Sequence, residues 1–131
     1  MQALLSTGGH RVIILGAGRP FRKDTPSALV AAGPKNRILD WLLDSFSILP
    51  SPQLSFVGGY KAGLIAQAYP GVQFVHNEDW ATTGPVKSLS LAPLTPALST
   101  YVSYADIVFR STTVERMEAL DADLVVAVDT L

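Results

Sequence analysis

The segment Arg11-Val-Ile-Ile-Leu-Gly-Ala-Gly-Arg-Pro-Phe-Arg22 constrains this chain more than any other. A short apolar, β-branched run has the pattern of a buried strand, and here it stops abruptly at two glycines, Gly16 and Gly18. Arg19 and Arg22 follow at once. A buried strand opening onto such a loop brings backbone N–H groups close to a phosphate. Glycine permits the close approach, and arginine adds forked donors with permanent charge. The expectation is a strand at 11–15 and an irregular phosphate-binding loop at 16–26.

The rest of the chain alternates short apolar β-rich runs with helical patterns, which predicts an α/β fold with a mainly parallel sheet. Ile38, Leu39, Trp41, Leu42, Leu43 and Phe46 recur at helical spacing and predict a helix over 36–49, stopped by Pro50 and Pro52. Strands are expected at 54–57 and 72–75, with a short helix at 61–68 between them. A loop at 77–85 precedes a helix at 86–94. Residues 100–103 and 107–109 are short strand candidates. Thr112 and Glu115 have the spacing of a capping box, which predicts a helix from Thr112 to about Leu120. Leu124-Val-Val-Ala-Val128 predicts a last strand, apolar on both faces as in the middle of a parallel sheet. Because the sequence ends just after it, the sheet is expected to continue. The continuation would come from a homo-oligomeric partner or from a missing C-terminal segment.

With 131 residues, 48% of them apolar, one domain with a substantial core is expected. The net charge of −1 and the 16% of charged residues leave no basic field for nucleic acid. There are no cysteines, so disulfides and thiolate metal sites are excluded. No apolar run reaches the roughly 20 residues that span a bilayer, and the first ten residues lack a signal-peptide pattern. A cytoplasmic protein without membrane attachment is the expectation.

Two common nucleotide loops do not fit. The dinucleotide fingerprint needs a third glycine where Phe21 stands and an acidic residue closing the second strand, which instead runs into Gly58-Gly59. The Gly-x4-Gly-Lys-Ser/Thr pattern is absent. What remains is a strand, then Leu15-Gly-Ala-Gly-Arg-Pro-Phe-Arg22, then Pro26, Leu29, Gly33 and Lys35 before an amphipathic helix. This series resembles the signature of the sugar-nucleotide-type nucleotidyltransferases. Val57-Gly-Gly-Tyr-Lys61, Asn77-Glu-Asp-Trp80, Thr82-Thr83-Gly84 with Ser88-Leu89, and Ala105-Asp-Ile-Val-Phe109 resemble its later segments in order, especially those of the choline-phosphate cytidylyltransferase branch. The resemblance spans nearly the whole sequence but about the first half of a typical family domain.

The resemblance implies a Rossmann-like three-layer α/β/α domain of the GT-A-like nucleotidyltransferase type, incomplete at its C-terminus. It also implies transfer of a nucleotidyl group, CTP favoured, to a small phosphorylated acceptor with release of pyrophosphate. Gly16, Ala17, Gly18, Arg19 and Lys35 would bind the nucleotide, with Thr83, Gly84 and Ser88 toward base and ribose. Arg22 and Asp106 would serve catalysis, and Asp106 would ligate Mg²⁺ alongside the substrate phosphates. Each residue also has a plain reading. Arg22 then lies at the surface, Asp106 sits in a turn, and Thr83, Gly84 and Ser88 start a helix. His10 and His76 stand alone and read as structural. Trp41 and Trp80 read as core or subunit contacts.

Three positions depart from the family pattern. Ser27 replaces a lysine that supports the phosphates, Pro20 replaces a loop glycine and removes an N–H, and Ala105 replaces the glycine before the aspartate. The first two weaken triphosphate handling. A catalytically degenerate nucleotide-binding or assembly module of the same fold therefore stands beside the enzyme reading, and a flavodoxin-like binder of another phosphorylated ligand stands as a third.

Overall fold

A computed structural model describes residues 9–20 and 24–130 of the chain. Arg22, a residue with an expected catalytic role, lies outside the described residues. Among the described residues four strands form one parallel sheet: β1 (His10–Gly16), β2 (Gln53–Gly58), β3 (Gln73–His76) and β4 (Ser99–Tyr104). Four α-helices connect or follow them: α1 (Ile38–Phe46), α2 (Ala62–Ala68), α3 (Pro85–Leu91) and α4 (Ser111–Glu118). The strand order is β3-β2-β1-β4, so β1 is flanked on both sides and its neighbours extend the sheet in opposite directions. This doubly wound α/β layout agrees with the expectation.

The pattern of β1 explains its central place. Val12, Ile13 and Ile14 are fully buried, so both faces of the strand must be covered. On one face Val12 and Ile14 join Phe56 and Tyr101 beneath Leu39, Leu42 and Phe46 of α1. Val114 of α4 and Ile65 of α2 complete that layer. On the other face Ile13, Leu15 and Val57 meet Ala92 and Leu89 at the end of α3. Helices thus cover both faces, as the three-layer expectation requires.

Helix α1 is shorter than the predicted 36–49. At its start the Arg37 N–H donates to the Asp40 carboxylate at 2.7 Å, which satisfies one of the orphan donors of a helix terminus. At its end Ser47 and Leu49 bond to carbonyls three residues back, so the chain tightens before Pro50 can interrupt a helix.

Three sequence expectations are corrected. Residues 107–109 form no strand, because β4 ends in a turn at Ala105–Asp106 and carries the run past the edge of β1. Phe109 instead packs edge-on against Phe46, with ring centroids 5.5 Å apart. Helix α4 begins at Ser111 with Arg110 as its cap and no side-chain cap bond, so the Thr112–Glu115 capping box does not form. The hydroxyl of Ser45 donates to the Phe109 carbonyl and pins the chain just ahead of that start. Finally, residues 124–128 are irregular and join no described strand. Leu124, Val126 and Val128 are exposed, since apolar β-branched sequence makes a strand only where a neighbour supplies ladder partners.

Candidate nucleotide cleft

In an open parallel sheet the loops at the carboxyl ends of the strands diverge where the strand order reverses, leaving a crevice. Here that point lies between β1 and β4. A cleft of about 200 Å³ opens there. The loop leaving β1 forms one wall, with Gly16, Ala17, Gly18 and Arg19. Thr83, Gly84 and Ser88, at the start of α3, form a second. Asp106, on the turn after β4, stands at a third. Eight of the residues expected from the sequence therefore line one cleft, although they come from three distant segments. Lys35 does not line it; it is exposed in the bend at 33–35 that leads to α1.

Local packing explains why these segments hold their places. The Ala105 N–H donates to the Leu15 carbonyl at 3.0 Å, so the β1–β4 ladder continues one residue past the strand and fixes the turn that carries Asp106. Gly16 is needed where the sheet is tightest. A β-carbon there would lie 2.3 Å from the ring of Phe56 and 2.9 Å from the Ala105 side chain. Gly59 plays the same part between loops, with a hypothetical β-carbon 2.4 Å from Trp80 Cβ and 2.7 Å from the Ala17 carbonyl.

The lining also includes residues that carried no expected site role, among them Ser27, Asn77, Trp80 and Tyr104. Trp80 organises the cationic side of the cleft. The Arg19 guanidinium carbon lies 5.7 Å from the Trp80 ring centroid, within cation–π range. Trp80 in turn meets Tyr60 edge-on at 5.5 Å. Lys61, whose φ of +47° is unusual for a residue with a side chain, donates from Nζ to the Asp24 carbonyl at 2.9 Å. It thereby ties the start of α2 to the segment that follows the β1 loop.

Asn77 is 1% exposed and immediately follows β3. Its N–H donates to the Gly58 carbonyl at 2.8 Å, and its Oδ1 accepts the Asp79 N–H at 3.0 Å. Its Nδ2 donates to Thr83 Oγ1 at 3.1 Å and to Ser88 Oγ at 3.0 Å. The signal that marks it in the sequence is an asparagine at the carboxyl end of an apolar strand, where side-chain turns are common. Trp80 closes the Asn77-Glu-Asp-Trp80 segment noted in the sequence, where it read as a core or subunit contact; its position at the cleft follows from loop packing.

His10 is structural, as expected. Its Nε2 pairs with Glu118 Oε1 at 2.8 Å, at the end of the sheet opposite the cleft. Among the described residues no group of three or more His, Cys, Asp or Glu side chains converges on a metal position. Asp106 is the one carboxylate among the lining residues described. Magnesium commonly takes one or two carboxylates and completes its shell with waters and substrate phosphate, so this donor set fits it. None of the described helices is long and apolar enough to cross a membrane.

No family model and no curated protein matches this sequence. Solved structures do. The CTP:phosphocholine cytidylyltransferase LicC of Streptococcus pneumoniae superposes with a TM-score of 0.56 at 24% identity, over 79% of this chain and 50% of that one. Rv0371c of Mycobacterium tuberculosis H37Rv superposes with a TM-score of 0.61 at 20% identity, over 84% of this chain and 59% of that one. The chain thus spans between half and three-fifths of these two proteins. The likeness shows that the chain shares the fold of these two proteins over most of its length.

Proposed function

We propose that the cleft binds a nucleoside triphosphate, CTP in preference, and that the chain carries the nucleotide half of a nucleotidyltransferase. One observation carries this reading above others. The β1 loop, the start of α3 and Asp106 meet in a single cleft at the strand-order reversal, each facing it with the chemistry its role needs.

In the proposed reaction an oxygen of a small phosphorylated acceptor attacks the α-phosphorus. The new O–P bond forms as the bond to the α–β bridging oxygen breaks, and pyrophosphate leaves. Such transfer asks for alignment and charge neutralisation more than for covalent help. Backbone N–H groups around Gly16 to Gly18 receive phosphate oxygens, and Arg19 and Arg22 neutralise them. Thr83, Gly84 and Ser88 receive base and ribose. Asp106 would hold Mg²⁺, which when bound would share the phosphate charge. Phosphocholine, named for the pneumococcal protein, is the first acceptor to test.

A second reading rests on Ser27. This residue lines the cleft where the resembled family has a lysine, and it brings no charge. Lys35 is not among the lining residues, and Pro20 has no N–H to offer. These features favour a domain that binds nucleotide and does not turn it over.

Thermal-shift titration with ATP, GTP, CTP and UTP, with and without Mg²⁺, tests binding, because a ligand of the folded state alone adds about 2.7 kcal/mol at a hundredfold excess over Kd. Pyrophosphate release with phosphocholine then separates the two readings. A CTP-selective shift with release supports the enzyme, and a shift without release supports the binding module. No shift with any nucleotide refutes both.

A further inference from the structure

We infer that Asn77 sets the hydrogen-bond polarity of the cleft wall, making Ser88 a donor and Thr83 an acceptor toward the base of a bound nucleotide. The inference rests on the nucleotide reading above and adds a specificity-determining residue to it. The direction of every bond is settled by chemistry. The Asp79 N–H can only donate, so the atom of the Asn77 amide that meets it is the oxygen. The Nδ2 group therefore faces the two hydroxyls and spends both its protons on them.

Thr83 Oγ1 also contacts the Asp79 carbonyl at 2.8 Å, and a carbonyl can only accept. Thr83 has thus given its own proton and taken one from Asn77, leaving a lone pair. Ser88 Oγ takes a proton from Asn77, and among the described residues its own proton has no acceptor. Ser88 is 3% exposed, so that proton has little access to bulk water. It needs a partner from the cleft, because an unmade bond at a buried donor is costly. One buried amide thus turns two interchangeable hydroxyls into an ordered donor and acceptor. A pyrimidine edge such as that of cytosine, with a ring-nitrogen acceptor beside an amino donor, supplies the complementary pair.

The near-isosteric change Asn77→Asp tests this. A carboxylate keeps an acceptor for the Asp79 N–H but recruits the Ser88 proton, so the wall loses its donor. Dissociation constants are measured for CTP and for inorganic tripolyphosphate, which has no base, on folded protein checked by circular dichroism. The expected result is about a tenfold loss of CTP affinity with tripolyphosphate affinity unchanged within about twofold. The CTP loss should vanish when the change is made in a Ser88→Ala background, as coupled residues require. If Asn77→Asp does not fold, Asn77→Ala carries the same test with an expected loss of about threefold. Unchanged CTP affinity overturns the inference, and so does parallel loss of both ligands, which marks a structural role only. Wild-type protein that binds tripolyphosphate and CTP equally overturns it while leaving the phosphate loop standing. Wild-type protein that binds neither removes the nucleotide reading as well.

Discussion

Replacing Gly59 by alanine isolates the packing that holds the cleft together. The added β-carbon would lie 2.4 Å from Trp80 Cβ, 2.5 Å from Trp80 Cγ and 2.7 Å from the Ala17 carbonyl oxygen. Carbon pairs are most stable at about 3.5 to 4.0 Å, so the overlap is about 1 Å. None of the three atoms is the far end of a flexible side chain. Two sit at the root of Trp80 and one is backbone, so relief requires moving the Trp80 loop away from the β1 loop. Overpacking of this kind costs about 1–3 kcal/mol, and these stiff neighbours place it near the upper end. For a domain of this length about 3 kcal/mol lowers Tm by roughly 10 °C. The same displacement draws Trp80 from beneath Arg19, so nucleotide affinity should fall with stability. The control is Gly63→Ala in α2. A β-carbon there meets nothing within 4 Å, and alanine favours a helix interior by about 0.5–1 kcal/mol over glycine. Differential scanning calorimetry of the two variants should show opposite shifts. Equal shifts, or a Gly59→Ala Tm within a degree or two (roughly 0.5 kcal/mol) of wild type, would refute the argument that these loops are locked by contact.

Other outcomes follow from single groups. Ser55 is fully buried on β2 and its hydroxyl has no partner among the described residues, so Ser55→Ala should raise unfolding free energy by about 1 kcal/mol in urea titration. Burial first, and then the hydrogen bond to Asp40 and its charge, push the Tyr69 hydroxyl up to about 12. The unfolded chain releases that proton near pH 10. Its contribution to stability is therefore complete below about pH 10 and is lost as pH rises through the folded value. Tyr69→Phe should flatten this alkaline limb in denaturation curves collected across that range. Tyr101, held up by burial and its hydrogen bond to Glu118, adds to the same limb and should leave a residual slope in the Tyr69→Phe protein. On the proposed reaction, Asp106→Asn should reduce Mg²⁺-dependent pyrophosphate release by a hundredfold or more, about 2.7 kcal/mol of barrier, while leaving the folding transition nearly unmoved because the residue is exposed.

Much of the fold was legible because it is written in local pattern. The apolar run from Val12 to Leu15 demands cover on both faces wherever it lies, and the spacing of Ile38, Leu39, Leu42 and Phe46 makes one helical stripe. Gly16, Gly18 and Arg19 similarly mark an irregular loop at the end of β1 without reference to any other segment. The misread elements share a cause. Residues 107–109 and 124–128 have strand composition, but a strand is a pairing and not a composition, and no described strand pairs with either. The Thr112–Glu115 spacing is right for a capping box, yet Ser45 and Phe46, far back in the chain, hold Phe109 and set the helix start.

The sequence by itself therefore determined the parallel α/β class, the place of the β1 loop and the residue types available for phosphate chemistry. These depend on interactions within a few residues. Only the tertiary structure decided that Thr83, Gly84, Ser88 and Asp106 share a cleft with that loop, that Lys35 stands apart from it, and that Trp80 lies beneath Arg19. It alone directed the protons of Asn77 to two hydroxyls on another element. The physical reason is the sheet order: successive strands are added on one side of β1 and then on the other, and side chains distant in sequence become neighbours only once those strands are paired.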